Sequence, residues 1–278
     1  MKKKNVTIRL IRNATLRIHY AGKEILVDPM LAEKGTLQSA LGVYKTPRVQ
    51  DRKRHFAVGL GVYKTPRVHL TMPMNEITNG LDMVLLTHNH IDHYDPTVKQ
   101  HLAKNILFLT QPQDKESIKQ DGFTNVESIE KDKTIGDLTI HRIQGHHGFG
   151  QIGEMMGPVS GYVLTASGFP TVYIMSDCKW EECIRQTIEQ FSPDYIIVNS
   201  GGAIFPEFSR TEGSIIPDEK EVMTMLDELP AHIKLIAVHM EATDHGQTTR
   251  AILRNEAMHH EIEMSRLIIP EDGETIIL

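Results

Sequence analysis

The stretch Thr87-His88-Asn89-His90-Ile91-Asp92-His93-Tyr94-Asp95-Pro96 places four metal-capable side chains within six residues. It follows the apolar run Met83-Val84-Leu85-Leu86, which Asn79-Gly80 bounds on the far side. A short apolar run between turn signals reads as a buried strand. Asp95 before Pro96 matches a helix N-cap with a first-turn proline, so a helix is predicted over about 95–103. The histidines and Asp92 then fall in the loop between a strand end and a helix start, where sites are commonly built. Neutral imidazole and carboxylate suit zinc and its first-row neighbours, and a tight loop can aim several at one point. A solvated histidine-rich turn is the competing explanation in a chain with 15 histidines. Scattered histidines rarely fall as His-x-His-x-Asp-His directly behind an apolar run, and that favours a metal site.

Working outward, 278 residues allow one large domain or two small ones with a sizeable core. The composition, 40% hydrophobic and 24% charged, is that of a globular protein. A net charge of −6 lacks the basic footprint of a general nucleic-acid binder. Cys178 and Cys183 are too few and too close for a disulfide scaffold. Lys2-Lys3-Lys4 has the charge of a signal peptide without the apolar run that should follow, and no stretch is long enough to span a membrane. The expected location is therefore cytoplasmic.

Upstream, 6–11, 15–20 and 24–29 read as three strands of an antiparallel meander, with breaks at Asn13-Ala14 and Ala21-Gly22. The irregular segment at about 31–78 contains Leu-Gly-Val-Tyr-Lys-Thr-Pro-Arg-Val twice, at 41–49 and 60–68. Two copies are too few for a solenoid, so a local duplication in a loop is the economical reading. That loop is basic, with Arg52 and Arg54 among its cations, and is expected to be a solvated surface, a lid over an anionic substrate, or an arm of a homo-oligomer.

Downstream, strands are expected at 106–110, 126–129 and 138–143, then a glycine-flanked pair, His146-His147. A hairpin of 161–165 and 171–177 ends on Asp177, which could also cap a helix running from Cys178 to Gln190 or from about 180 to 191. The strand 195–199, a helix from Asp218 to about Leu229, the strand 235–239 ending on His239, a helix to about His260 and a strand at 267–269 complete the chain.

The His-x-His-x-Asp-His loop, with the later His147, Asp177 and His239, resembles the metallo-β-lactamase-fold hydrolases. Asn13-Ala14-Thr15-Leu16, Gly157-Pro158-Val159-Ser160-Gly161, Ser200-Gly201-Gly202-Ala203 and Val238-His239-Met240-Glu241 look like the bacterial ascorbate-6-phosphate lactonase-like branch. The resemblance covers nearly all of the chain outside 41–68. It implies an α/β (α+β) fold, a four-layer αββα sandwich, as one domain over 1–278 made of similar halves at about 1–150 and 151–278. It implies one or two divalent metal ions, zinc first and manganese second. His88, His90 and His147 would hold one, and Asp92, His93 and His239 the other, with Asp177 between them. His147 rather than His146 is taken as the ligand, because relatives with this surrounding pattern show His followed by Gly. Asp28 would support the site without ligating. Ser176 stands where the family usually has Gly before its bridging Asp, which puts the local backbone in question.

The implied chemistry is hydrolysis of a lactone, ester or phosphodiester, with a metal-activated water as nucleophile. Asp92, His93 and Asp177 are the candidate catalytic residues, Asp92 being the natural general base if a single metal binds. His146, Glu241, His245, Arg52 and Arg54 are candidate substrate contacts. A small, anionic substrate is expected, with neither nucleic acid nor membrane as partner. Two alternatives stay open: an iron-dependent thiol or persulfide oxidoreductase of the same fold, and a metal-binding protein that has lost turnover.

Overall fold

The alternating segments near the N-terminus form β1 (Thr7–Arg12), β2 (Thr15–Tyr20) and β3 (Lys23–Val27), an antiparallel meander. A computed structural model describes residues 3–39, 64–208 and 212–278. After β3 come the two-residue strands β4 (Leu37–Gln38) and β5 (Lys64–Thr65), then α1 (Met74–Thr78). Next are β6 (Met83–Leu85), α2 (Val98–His101), β7 (Leu107–Thr110), α3 (Lys115–Gln120) and β8 (Val126–Ser128). The chain continues through β9 (Asp132–Ile135), β10 (Leu138–His146), α4 (Gly150–Met156), β11 (Pro158–Thr165) and β12 (Val172–Ser176). It ends with α5 (Glu182–Phe191), β13 (Tyr195–Asn199), α6 (Glu219–Glu228), β14 (Lys234–Val238), α7 (Arg250–His259), β15 (Leu267–Ile268) and β16 (Thr275–Ile277).

Two seven-stranded sheets result, ordered β16-β1-β2-β3-β6-β7-β8 and β15-β14-β13-β12-β11-β10-β9. Each is built on one plan. Four antiparallel strands (β16-β1-β2-β3, and β9-β10-β11-β12) are followed by three parallel ones (β6-β7-β8, and β13-β14-β15). The chain changes sheet between Ser128 and Asp132, ahead of the boundary near 150 expected from sequence, because β9 and β10 pair with β11. The last strand then returns to β1.

Side-chain alternation assigns the layers. Ile8, Leu10, Ile18, Leu85, Tyr162, Ile174, Ile197 and Ile236, from both sheets, share one buried cluster between them. The opposite face of the second sheet packs Val163, Val198 and Leu235 against Ile184 of α5, Leu226 of α6 and Leu253 of α7. The opposite face of the first packs Leu26, Val84 and Phe108 against Ile77, Val98 and Ile118 of α1, α2 and α3. Helices, sheet, sheet and helices make the expected αββα sandwich.

Two local expectations change, and one element is added. Asp95 does not begin a helix over 95–103, since α2 is one turn starting at Val98. Its buried carboxylate instead accepts from the Thr97 and Ala32 amides, tying the histidine-rich loop to residues 30–32. Asp177 does not cap a helix, because α5 starts at Glu182 with Glu181 at the N-cap. Helix α4, in a stretch with glycines at 148, 150, 153 and 157, is an element for which the sequence analysis made no assignment. Packing stabilises it, with Ile152 and Met156 buried against Phe205 and Ile215. Gly153 is required there, since a Cβ would lie 2.5 Å from the Gly148 carbonyl oxygen.

Candidate metal centre

The loop leaving β6 starts at Thr87, whose amide and hydroxyl both donate to the carboxylate of Asp28, at 2.9 and 2.8 Å. Asp28 follows β3, the strand beside β6, so the neighbouring strand clamps the base of the histidine loop. Its Oδ2 also accepts from His93 Nδ1 at 2.9 Å, which turns His93 Nε2 inward. His88 Nδ1 lies 3.0 Å from the Thr87 hydroxyl, so with its proton there Nε2 carries a lone pair. His90 donates through Nε2 to the Met156 carbonyl at the end of α4, 3.0 Å away, leaving Nδ1 free. His147, just past β10, donates through Nδ1 to the Ile215 carbonyl at 3.0 Å. In each case an outer nitrogen spends its proton on the scaffold and the other nitrogen keeps its lone pair, the usual way metal-binding imidazoles are oriented.

These lone pairs converge. The ligand atoms of His88, His90 and His147 lie within 4.8 Å of one another, as do those of His88, His93 and Asp177, and of Asp92, His93 and His239. Asp177 Oδ2 sits 3.6, 3.2 and 3.2 Å from the Nε2 atoms of His88, His93 and His147. His239 Nε2 is 3.3 Å from Asp92 Oδ2 and 3.2 Å from His93 Nε2. All seven groups named from the sequence therefore share one neighbourhood. His88 Nε2, which faces the cluster, is buried without a hydrogen-bond partner. Buried lone pairs facing one another are unfavourable unless a proton or a cation lies between them. An imidazole and carboxylate donor set fits a divalent first-row ion, so the residues suit the metal group.

The electrostatics divide the histidines. Burial pushes His88 well down, with His93 and His90 adding to it; burial also lowers His90, and it takes His147 to about 4. Burial acts the same way on His93 and His239, but Asp177 with Asp28 carries His93 well above its ordinary value, and Asp177 with Asp92 raises His239. The carboxyls of Asp177 and Asp92, which burial alone would raise, are held well below the usual range by these histidines.

The candidate substrate contacts separate. His146 points away from the cluster, its exposed ring 2.8 Å from Glu181 Oε2. Glu241 is committed to Arg250, whose amide and guanidinium reach it at 3.0 and 2.7 Å. His245 is buried against the Phe205 ring, within electrostatic range of Asp92, with Nδ1 3.9 Å from Asp244 Oδ1. Arg52 and Arg54 lie outside the described residues.

Sequence reasoning gave no site role to several connectors. Asn13, in the β1–β2 turn, donates to the Asp92 carbonyl and accepts from the His239 amide, joining the two ends of the site. Asn199, closing β13, donates to Asp177 Oδ1. Gly201 lets the strand end of β14 approach, because a Cβ there would lie 2.3 Å from the His239 carbonyl oxygen. A polar residue at a strand end is the only signal such positions leave in sequence, and it is a weak one.

Residues 25–240 match the model of the β-lactamase superfamily domain. The chain belongs to the β-lactamase superfamily. Within it, this protein is 34% identical over 273 residues to the UPF0173 protein YddR of Bacillus subtilis (strain 168), covering 97% of this chain and 99% of that one. A possible metal-dependent hydrolase from Veillonella parvula DSM 2008 superposes with a TM-score of 0.85 at 30% identity, over 99% of this chain and 100% of that one. The isothiocyanate hydrolase from Delia radicum gut bacteria gives a TM-score of 0.82 at 32% identity, over 97% and 98%. Among the described residues no helix of this superfamily member is long and apolar enough to cross a membrane.

Proposed function

We propose that this β-lactamase-superfamily protein, a metal-dependent hydrolase, binds two divalent ions and hydrolyses a small substrate at an electrophilic carbon. His88, His90 and His147 would hold one ion, and Asp92, His93 and His239 the other, with Asp177 between; zinc is the first candidate and manganese the second. The observation that carries the reading is the set of imidazoles whose outer nitrogens are committed to Thr87, Met156, Ile215 and Asp28 while the others converge. Bound divalent ions supply Lewis acidity, making water acidic near neutral pH and drawing charge from the bond under attack.

The chain's own groups do the rest. Were a single ion bound, Asp92, kept ionised by His239 and His93, would be the group that accepts the proton of the attacking water. Asp177 fixes the mutual orientation of His88, His93 and His147 from the end of β12. His245, beside Asp92, contacts the substrate from that side. Among the described residues the dominant charged neighbours of the seven groups are histidines and aspartates, which supports a carbon electrophile, while Arg52 and Arg54 lie outside those residues. The resemblance to an isothiocyanate hydrolase supports the same choice, and lactones and esters present a comparable carbon.

Elemental analysis of the purified protein, joined to turnover of an isothiocyanate, a lactone, an ester and a phosphodiester, tests this reading. Two equivalents of zinc or manganese and chelator-sensitive hydrolysis of a carbon electrophile are expected. Protein that retains no metal and hydrolyses none of the four after zinc or manganese is added would overturn it.

A further inference from the structure

Four of the five histidines of the centre are aimed by a hydrogen bond at the outer nitrogen, to Thr87, Met156, Ile215 or Asp28. His239 is the exception among the described residues, its Nδ1 being buried without a hydrogen-bond partner. That nitrogen lies against Gly201, where a Cβ would come within 3.4 Å of it. With no acceptor to orient it, the ring takes its direction from the backbone that carries it.

That backbone is strained. His239 has φ +64° and Glu241 has φ +68°, a region that side chains of either kind rarely adopt. The Ala242 amide donates to the Met240 carbonyl at 2.9 Å, so Glu241 is the centre of a tight turn with the positive φ of the classic γ-turn, the rare and strained form. Such backbone persists only where its surroundings over-determine it. At His239 the amide is held by the Asn13 carbonyl at 2.9 Å, and Met240 is buried in the core beneath α5, α6 and α7. At Glu241 the hold is the carboxylate. Its Oε1 accepts from the Arg250 amide at 3.0 Å and its Oε2 from the Arg250 guanidinium at 2.7 Å. Arg250 is itself buried and fixed, donating to the Pro270 carbonyl at 2.7 Å and to the Asp272 carboxylate. Helix α7 has its own N-cap in Thr249, which accepts from the Ile252 amide, so it does not depend on Glu241 for a cap.

We propose that Glu241, locked by Arg250, is a positioning residue that pins the turn after β14 and so aims His239 at Asp92 and His93. The ring's direction in the metal-free protein follows from the turn alone. The consequence for metal rests on the two-ion reading: breaking the lock weakens the ion held by Asp92, His93 and His239 and spares the one held by His88, His90 and His147.

The test uses Glu241→Ala, which leaves Arg250 paired with Asp272. Its control is Arg266→Met, which removes two bonds to the Leu226 and Leu229 carbonyls in the same helical layer without touching the turn. NMR on the chelator-treated proteins reads contacts between histidine rings. The His93 and His239 centroids lie 5.1 Å apart, and those of His90 and His147 lie 5.2 Å apart. Both contacts are expected in the wild type and in Arg266→Met, with only the first lost in Glu241→Ala. Persistence of the His93–His239 contact in Glu241→Ala, its absence from the wild type, or loss of both contacts together overturns the positioning role. Zinc titration calorimetry on the same proteins reads the metal. Two equivalents are expected for the wild type and Arg266→Met, and Glu241→Ala should bind one of them at least about 10-fold more weakly. Weakening of both equivalents alike, or of neither, also overturns the role. If the wild type takes up a single equivalent, the two-ion reading falls and the ring contacts alone decide whether Glu241 positions His239.

Discussion

Asp28 and Asp177 occupy the same place in the two sheets. Each directly follows the last antiparallel strand of its sheet, β3 or β12, at the junction with the first parallel one, β6 or β13. Both side chains are buried at the rim where the strand ends meet. Their surroundings differ. Asp28 spends its oxygens on the Thr87 amide, the Thr87 hydroxyl and His93 Nδ1. Asp177 faces the Nε2 atoms of His88, His93 and His147, with Asn199 donating to its other oxygen. The comparison teaches that a strand-end carboxylate is a scaffold part when the chain consumes its lone pairs, and is left able to serve as the proposed ligand when it faces imidazole nitrogens instead. The two halves share a frame and divide the work.

The largest expected effect tests that division directly. Asp177→Asn should lower kcat/KM on the order of a thousand-fold, several kcal/mol of lost stabilisation, and elemental analysis should show loss of metal. Asp28→Asn should cost only about 10- to 100-fold, because it acts through His93 and Thr87. Its new amide group would face donors rather than acceptors, so thermal stability should fall as well, by about 1–3 kcal/mol for each donor left unpaired. Equal losses of metal and activity in both variants would erase the distinction.

A second test uses pH on the chelator-treated protein. The carboxylates decide which histidines are held above their ordinary value and which burial drives below it. His88, His90 and His147 are lowered, so in the folded state they resist the proton that the unfolded chain takes up near pH 6.5. Stability should therefore fall as pH drops from about 6.5 towards the folded value, about 4 for His147, which alone is worth about 3 kcal/mol. His93 and His239 are raised, so their contribution is complete below about pH 6.5 and does not vary across that window. Thermal denaturation at pH 7, 6 and 5 should show a falling melting temperature. A flat profile would mean that the lowered set is not buried as neutral imidazole.

The two halves were unequally legible in the sequence. The loop 88–93 declares itself because four donors fall within six residues behind an apolar run. Asp177 and His239 stand singly at strand ends, where an aspartate or histidine has ordinary explanations, and only the family resemblance gave them roles. The strands read well because burial on both faces leaves continuous apolar runs, as at Ile196-Ile197-Val198. Helix α4 was hidden by its glycines, and its formation depends on Phe205 and Ile215, far along the chain. Asn13 and Asn199 act through hydrogen bonds spanning 79 and 22 residues, which no local pattern encodes.

The smallest effect concerns the backbone at the same two places. Asp28 has φ +45°, and Ser176, just before Asp177, has φ +59°. Aspartate tolerates the left-handed region better than serine, so the strain falls on the second sheet. Ser176→Gly should relieve about 1–2 kcal/mol of that strain. It also removes the Ser176 hydroxyl, which donates to Thr87 Oγ1 at 2.8 Å, a bond worth about 1 kcal/mol. The net change should lie within about 1 kcal/mol of zero. Ser176→Ala loses the bond and keeps the strain, so it should melt lowest of the three, by about 2 °C or more below the wild type. Calorimetry that ranks glycine at or above serine, with alanine last, places the cost in the backbone. Alanine matching glycine would place it in the hydroxyl alone, and the turn into Asp177 would then be as relaxed as its counterpart at Asp28.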